Sequence, residues 1–97
     1  MYETRLKNAQ TERLVKALLA LETEEECYRL LEDLCTIREV RDLAQRLEVA
    51  QMLTDKITYT EIAAQTGASS ATIGRVNRAL SYGAGGYPII LNKLKEE

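Results

Sequence analysis

The chain has 97 residues, 45% of them apolar and 29% charged, and its 13 Lys and Arg against 15 Asp and Glu give a formal net charge of −2. Such numbers fit one small globular domain. Histidine, tryptophan and phenylalanine are absent, which excludes a His-dependent catalytic triad or a His-bearing zinc site, while the overall acidity runs against the excess of Lys and Arg usual in nucleic-acid binders.

In chain order, Met1 to Arg5 lead into a charged helical pattern rather than a secretory leader, so a reducing cytoplasm is the expected compartment. Leu14, Val15, Leu18, Leu19 and Leu21 recur at three- and four-residue spacing and predict an amphipathic helix over 11–21, with Glu12, Arg13 and Lys16 on its polar side. Thr23 followed three residues later by Glu26 is a reciprocal capping pattern, and Glu24, Glu25 and Glu26 suit the positive end of the helix that follows. That helix is expected to bury Cys27, Leu30, Leu31 and Leu34. Cys27 and Cys35 would lie roughly 12 Å apart in a continuous helix at about 1.5 Å per residue, too far for a disulfide, and they read as small apolar side chains.

Thr36 and Glu39 form a second capping pair opening a longer helix, with Ile37, Val40, Leu43, Ala44, Leu47, Ala50 and Leu53 on its inner side. A third pair, Thr58 and Glu61, starts a short helix to about residue 65, which Gly67 ends. Ser69 or Ser70 then caps a helix carrying Ile73, Val76 and Leu80. Gly83 to Gly86 read as a flexible joint, and Pro88 suits the first turn of a terminal helix with Ile89, Ile90, Leu91 and Leu94. No segment alternates with period two, and no apolar run approaches the roughly 20 residues of a membrane span. The expected fold is all-α, with about six helices.

Residues 57–78 carry more than a helical hairpin needs. A DNA-binding helix-turn-helix crosses two helices steeply through a three- or four-residue turn, often containing Gly. Ala63 supplies a small contact in the first helix, Gly67 the turn, and Ile62, Ala68, Ile73 and Val76 an apolar seam. The outward face of the second helix would carry Ser69, Ser70, Thr72, Gly74, Arg75, Asn77 and Arg78. Short side chains at its N-terminus let a helix enter a major groove, its first amides suit phosphate, and Arg75 and Arg78 reach base edges or phosphates. No acidic residue occurs from Ala63 to Leu94, and the charge divides by region: −3 over 1–56, +1 over 57–97, and +3 when Glu96 and Glu97 are set aside.

Gly67-Ala68-Ser69-Ser70-Ala71-Thr72-Ile73-Gly74-Arg75 resembles the Gly-Ala-Gly-Ile-Ala-Thr-Ile-Thr-Arg run of the Trp repressor superfamily. The likeness spans roughly residues 31–80 and points to its YerC/YecD-like group. Leu43-Ala44-Gln45-Arg46-Leu47 is similar to the family's Leu-Gly-Thr-Arg-Val, with one residue deleted near Asp55. The resemblance implies an intertwined homodimer with a helix-turn-helix head at each end. On that plan residues 1–97 form one domain, with a dimerisation core over 11–56, the helix-turn-helix over 57–81, and the joint and terminal helix over 83–97. Pairing also enlarges the core that so short a chain can bury, and it joins two weak heads.

The resemblance further implies contact with double-stranded operator DNA at Thr58, Thr60, Ser69, Ser70, Ala71, Thr72, Gly74 and Arg75, with Arg78, Lys93 or Lys95 adding charge. Thr60 and Ala63 stand where the relative has basic residues. For an amino-acid corepressor it implies Thr36, Arg46, Thr72 and Arg75. Val76 stands in place of a Gly beside the indole and Ala79 in place of a Ser on the carboxylate, which argues against tryptophan and leaves another amino acid, histidine for one, or no ligand. The sequence thus reads as a dimeric transcription regulator, more naturally a repressor, with no enzymatic role, no metal and no other cofactor. The alternative is a helical protein-interaction module that has lost DNA binding.

Overall fold

The computed structural model describes residues 2–95; Met1, and the Glu96 and Glu97 of the charge balance, lie outside the described residues. These residues form six α-helices and no strand: α1 Ala9–Ala20, α2 Glu24–Leu34, α3 Ile37–Thr54, α4 Tyr59–Thr66, α5 Ser70–Tyr82 and α6 Gly86–Lys95. No helix among the described residues is long and apolar enough to cross a membrane. The chain divides into two compact units, Met1–Thr36 and Ile37–Glu97. α3 thus groups with α4, α5 and α6 rather than with α1 and α2.

In the first unit, α1 begins earlier than its apolar spacing implies, because the Asn8 side chain accepts the Thr11 N–H at 2.8 Å. Thr23 caps α2 as expected, its hydroxyl oxygen accepting the Glu26 N–H at 3.1 Å. The return bond differs: the Glu26 carboxylate accepts the Glu22 N–H, at 2.8 Å, one residue before the cap. α1 and α2 bury no residue within the chain. Cys27, Leu30 and Leu31 are half-buried, Leu34 is exposed, and Leu14, Val15, Leu18 and Leu19 lie open, Leu19 at 80%. Both thiols are unbridged.

The second unit holds a continuous core of Val49, Ala50, Met52, Ile62, Ala68, Ile73, Val76 and Leu91, with Leu53, Ile57, Ala63, Leu80 and Tyr87 packed at its edge. α3 packs on α4, α5 and α6, so it is the platform of this unit. The expected inner stripe of α3 is only partly inside, with Val40 half-buried near its start. Ala50 is buried and Leu53 half-buried, while Ile37, Leu43 and Leu47 are exposed, Ile37 at 74%. Periodicity marks an apolar face without saying which molecule covers it.

α3 ends with two backbone bonds, Lys56 N–H to the Leu53 carbonyl and Ile57 N–H to the Met52 carbonyl, both 3.0 Å. Lys56 takes the left-handed conformation at φ 65°. This is the hydrogen-bond pattern that usually carries Gly at the left-handed position. In α6, Leu91 is buried, whereas Ile89, Ile90 and Leu94 face outward. Pro88 falls in the first turn of α6, where a missing N–H costs nothing.

Candidate nucleic-acid interface

α4 and α5 are built from local signals in the residues between them. Thr58 caps α4 by accepting the Glu61 N–H at 3.3 Å, and Gly67 ends it at φ 76° with its N–H on the Ala63 carbonyl at 2.9 Å. An L side chain in that conformation is strained, so glycine belongs there. Ser69 caps α5: its hydroxyl accepts the Thr72 N–H at 3.1 Å and donates to the Thr72 hydroxyl at 3.1 Å. Ser69, rather than Ser70, is therefore the cap. Thr58 and Ser69 have structural work independent of any ligand.

The turn is secured by a further residue. Thr66 Oγ1 donates to the Ile62 carbonyl at 2.8 Å and accepts the Ala68 N–H at 3.1 Å. The Thr66 carbonyl in turn accepts Gln45 Nε2 from α3 at 3.1 Å. Ala68 lies buried just after the turn, and Ile62, Ile73 and Val76 close the seam beneath it. All four residues of the seam expected from the spacing are in the core.

With that seam turned inward, the start of α5 faces solvent. Ser69, Ser70, Ala71, Arg75 and Arg78 are exposed, Thr72 and Gly74 are half-buried, and Thr58 and Thr60 on the approach to α4 are exposed. A Cβ added to Gly74 would meet nothing within 4 Å. This face carries two guanidinium groups beside short hydroxyl and methyl side chains. Glu61, at the start of α4, is directed toward Gln65, whose Nε2 donates to its Oε1 at 2.6 Å. The surface can accept a polyanion and admit it close to the helix.

The residues proposed for an effector are distributed differently. Thr36 is exposed in the first unit and engaged in an interaction of its own. Arg46 on α3 and Thr72 on α5 are half-buried, and Arg75 is exposed, all in the second unit. Val76 is 2% exposed, its side chain committed to the core. Ala79 instead lines an apolar groove of about 370 Å³ with Leu47, Tyr87 and Ile90, which none of Arg46, Thr72 and Arg75 borders. Beyond the place of Gln45 in the Leu43–Leu47 run, nothing in the sequence singled out Gln45 or Thr66, because a polar residue on a long helix and a Thr before Gly are both ordinary surface choices.

The family model described as the Trp repressor protein matches residues 9–95. A Bacillus subtilis protein, YerC, whose function is uncharacterised, is 49% identical over 92 residues, covering 95% of this chain and 88% of the relative. A TrpR-like protein from Eubacterium eligens superposes with a TM-score of 0.90 at 48% identity, covering 94% of each chain. A candidate Trp repressor from Staphylococcus aureus gives 0.89 at 44% identity, over 96% of this chain and 93% of that one.

Proposed function

The chain belongs to the Trp repressor family, a family of regulatory DNA-binding proteins rather than enzymes, and on that footing we propose that it is a dimeric transcription regulator that reads a palindromic operator with α5. The observation that carries this reading is the exposed start of α5, with Arg75, Arg78 and short side chains outward and Ile73 and Val76 inward. Such a helix presents its first turn to a major groove. The absence of acidic residues from 63 to 94 removes repulsion toward phosphate along that stretch. Occupation of a promoter by two heads at fixed separation makes repression its natural effect.

Dimerisation is supported by α1 and α2, which bury nothing within the chain while exposing Leu14, Val15, Leu18, Leu19 and Leu34. Apolar area of that kind is stabilising only when covered. For the effector, Val76 supports a regulator that does not hold an indole, because its branched side chain is already packed in the seam. Thermal-shift measurement with each of the twenty amino acids tests this part, and a selective rise with tryptophan would refute it.

The central experiment is selection of binding sites from random duplexes by the purified chain, followed by a salt-titrated affinity measurement on the enriched sequence. A two-fold symmetric site with half-sites about one helical turn apart is expected. Enrichment of no consistent sequence, with weak binding only, would instead favour a helical interaction module.

A further inference from the structure

Base recognition by α5 requires the helix to be held at a fixed angle on α3, since bidentate contacts tolerate little displacement. The seam beneath it, Val49, Ile62, Ala68, Ile73 and Val76, is wholly apolar. Apolar burial is non-directional, so it holds α4 and α5 against α3 while resisting sliding or rotation only through shape. The bond from Gln45 Nε2 to the Thr66 carbonyl is different in kind. It joins positions 21 apart in sequence, between two half-buried residues, at 3.1 Å. The other side-chain bonds named for this unit bridge four residues or fewer.

The acceptor is also well placed. Thr66 is the last residue of α4, and its carbonyl is among the four that a helix end leaves without an intrahelical partner. The same residue anchors the turn through its hydroxyl, accepting the Ala68 N–H and donating to the Ile62 carbonyl. Gln45 thereby grips, from α3, the residue on which the geometry of the whole turn converges. A hydrogen bond fixes both distance and direction, which the apolar seam does not.

We infer that Gln45 is a positioning residue for DNA reading: it pins the turn between α4 and α5 to α3 and so sets the pose of the start of α5. The inference rests on the DNA-binding reading above. Gln45→Met keeps the side chain's length and removes its donor. In the protein without DNA, amide hydrogen exchange at Gly67 and Ala68 is expected to rise about fivefold, the equivalent of one lost hydrogen bond, with the Cys35 amide of the first unit unchanged. On DNA, the ratio of affinity for the enriched duplex over a scrambled duplex of equal length falls about fivefold, while affinity for the scrambled duplex stays the same. A merely structural contribution would lower both affinities together with Tm and leave the ratio intact, and that result would overturn the inference. Unchanged exchange at Gly67 and Ala68 would overturn it equally. If wild-type protein enriches no duplex, the DNA-binding reading fails by that result, and the exchange measurement alone decides whether Gln45 holds the turn.

Discussion

Gly74→Ala separates the stability of α5 from its proposed use in reading DNA. Gly74 is the fifth residue of α5, inside the helix, where glycine costs about 0.5–1 kcal/mol relative to alanine because its backbone loses more freedom on folding. Its φ is not in the left-handed region, and a Cβ built on it meets nothing within 4 Å, so no packing penalty offsets the gain. The variant should therefore be more stable by about 0.5–1 kcal/mol, a rise in Tm of roughly 2–8 °C for a chain of this size. The empty space that makes the methyl harmless in the protein alone is the space that DNA fills in the proposed complex. Affinity for the selected duplex should consequently fall, while affinity for scrambled DNA changes little. Circular dichroism melting at one fixed chain concentration and fluorescence anisotropy on the two duplexes read both effects. A lower Tm would refute the helix-interior assignment, and undiminished specific binding would refute the placement of Gly74 against DNA.

Arg75→Ala should lower affinity for the selected site by roughly 1–3 kcal/mol with little effect on melting, since the side chain is exposed; an unchanged affinity in a salt-titrated assay would show that α5 reads nothing through it. Gly83→Ala should destabilise the chain by about 1–3 kcal/mol, because its Cβ would fall 2.4 Å from the Ala79 carbonyl oxygen, a backbone atom that must move; a Tm equal to wild type would contradict this. Leu19→Asp should shift the proposed dimer toward monomer in sedimentation velocity. Losing about 1.5–3 kcal/mol of burial from each of two copies weakens association by about a hundredfold or more. An unaltered dimer would place the interface elsewhere.

The local grammar of this protein was readable from its residues. Thr23, Thr58 and Ser69 cap the helices they were expected to cap, Gly67 takes positive φ at the turn, and the seam residues Ile62, Ala68, Ile73 and Val76 are inside. Each of these depends on interactions within a few residues or on one strong apolar periodicity, which is why spacing alone reveals them. The regional charge split likewise needed only counting, and the absence of histidine sets the same chemical limit in the structure as in the sequence.

Other features needed the third dimension. The apolar stripe on α3 could not show that Val49 and Met52 go inside while Ile37, Leu43 and Leu47 stay out, because an amphipathic face states that it will be covered and not by what. Lys56 ends α3 in a conformation usually marked by Gly, so the turn had no sequence sign. The bond from Gln45 to the Thr66 carbonyl joins positions 21 residues apart. Its partner is a backbone atom, which every residue possesses, so no pair of side chains advertises it. Sequence determined that a helix-turn-helix forms, since its caps, turn and seam are local; tertiary structure decided how it is held on α3, because that depends on contacts between segments distant along the chain.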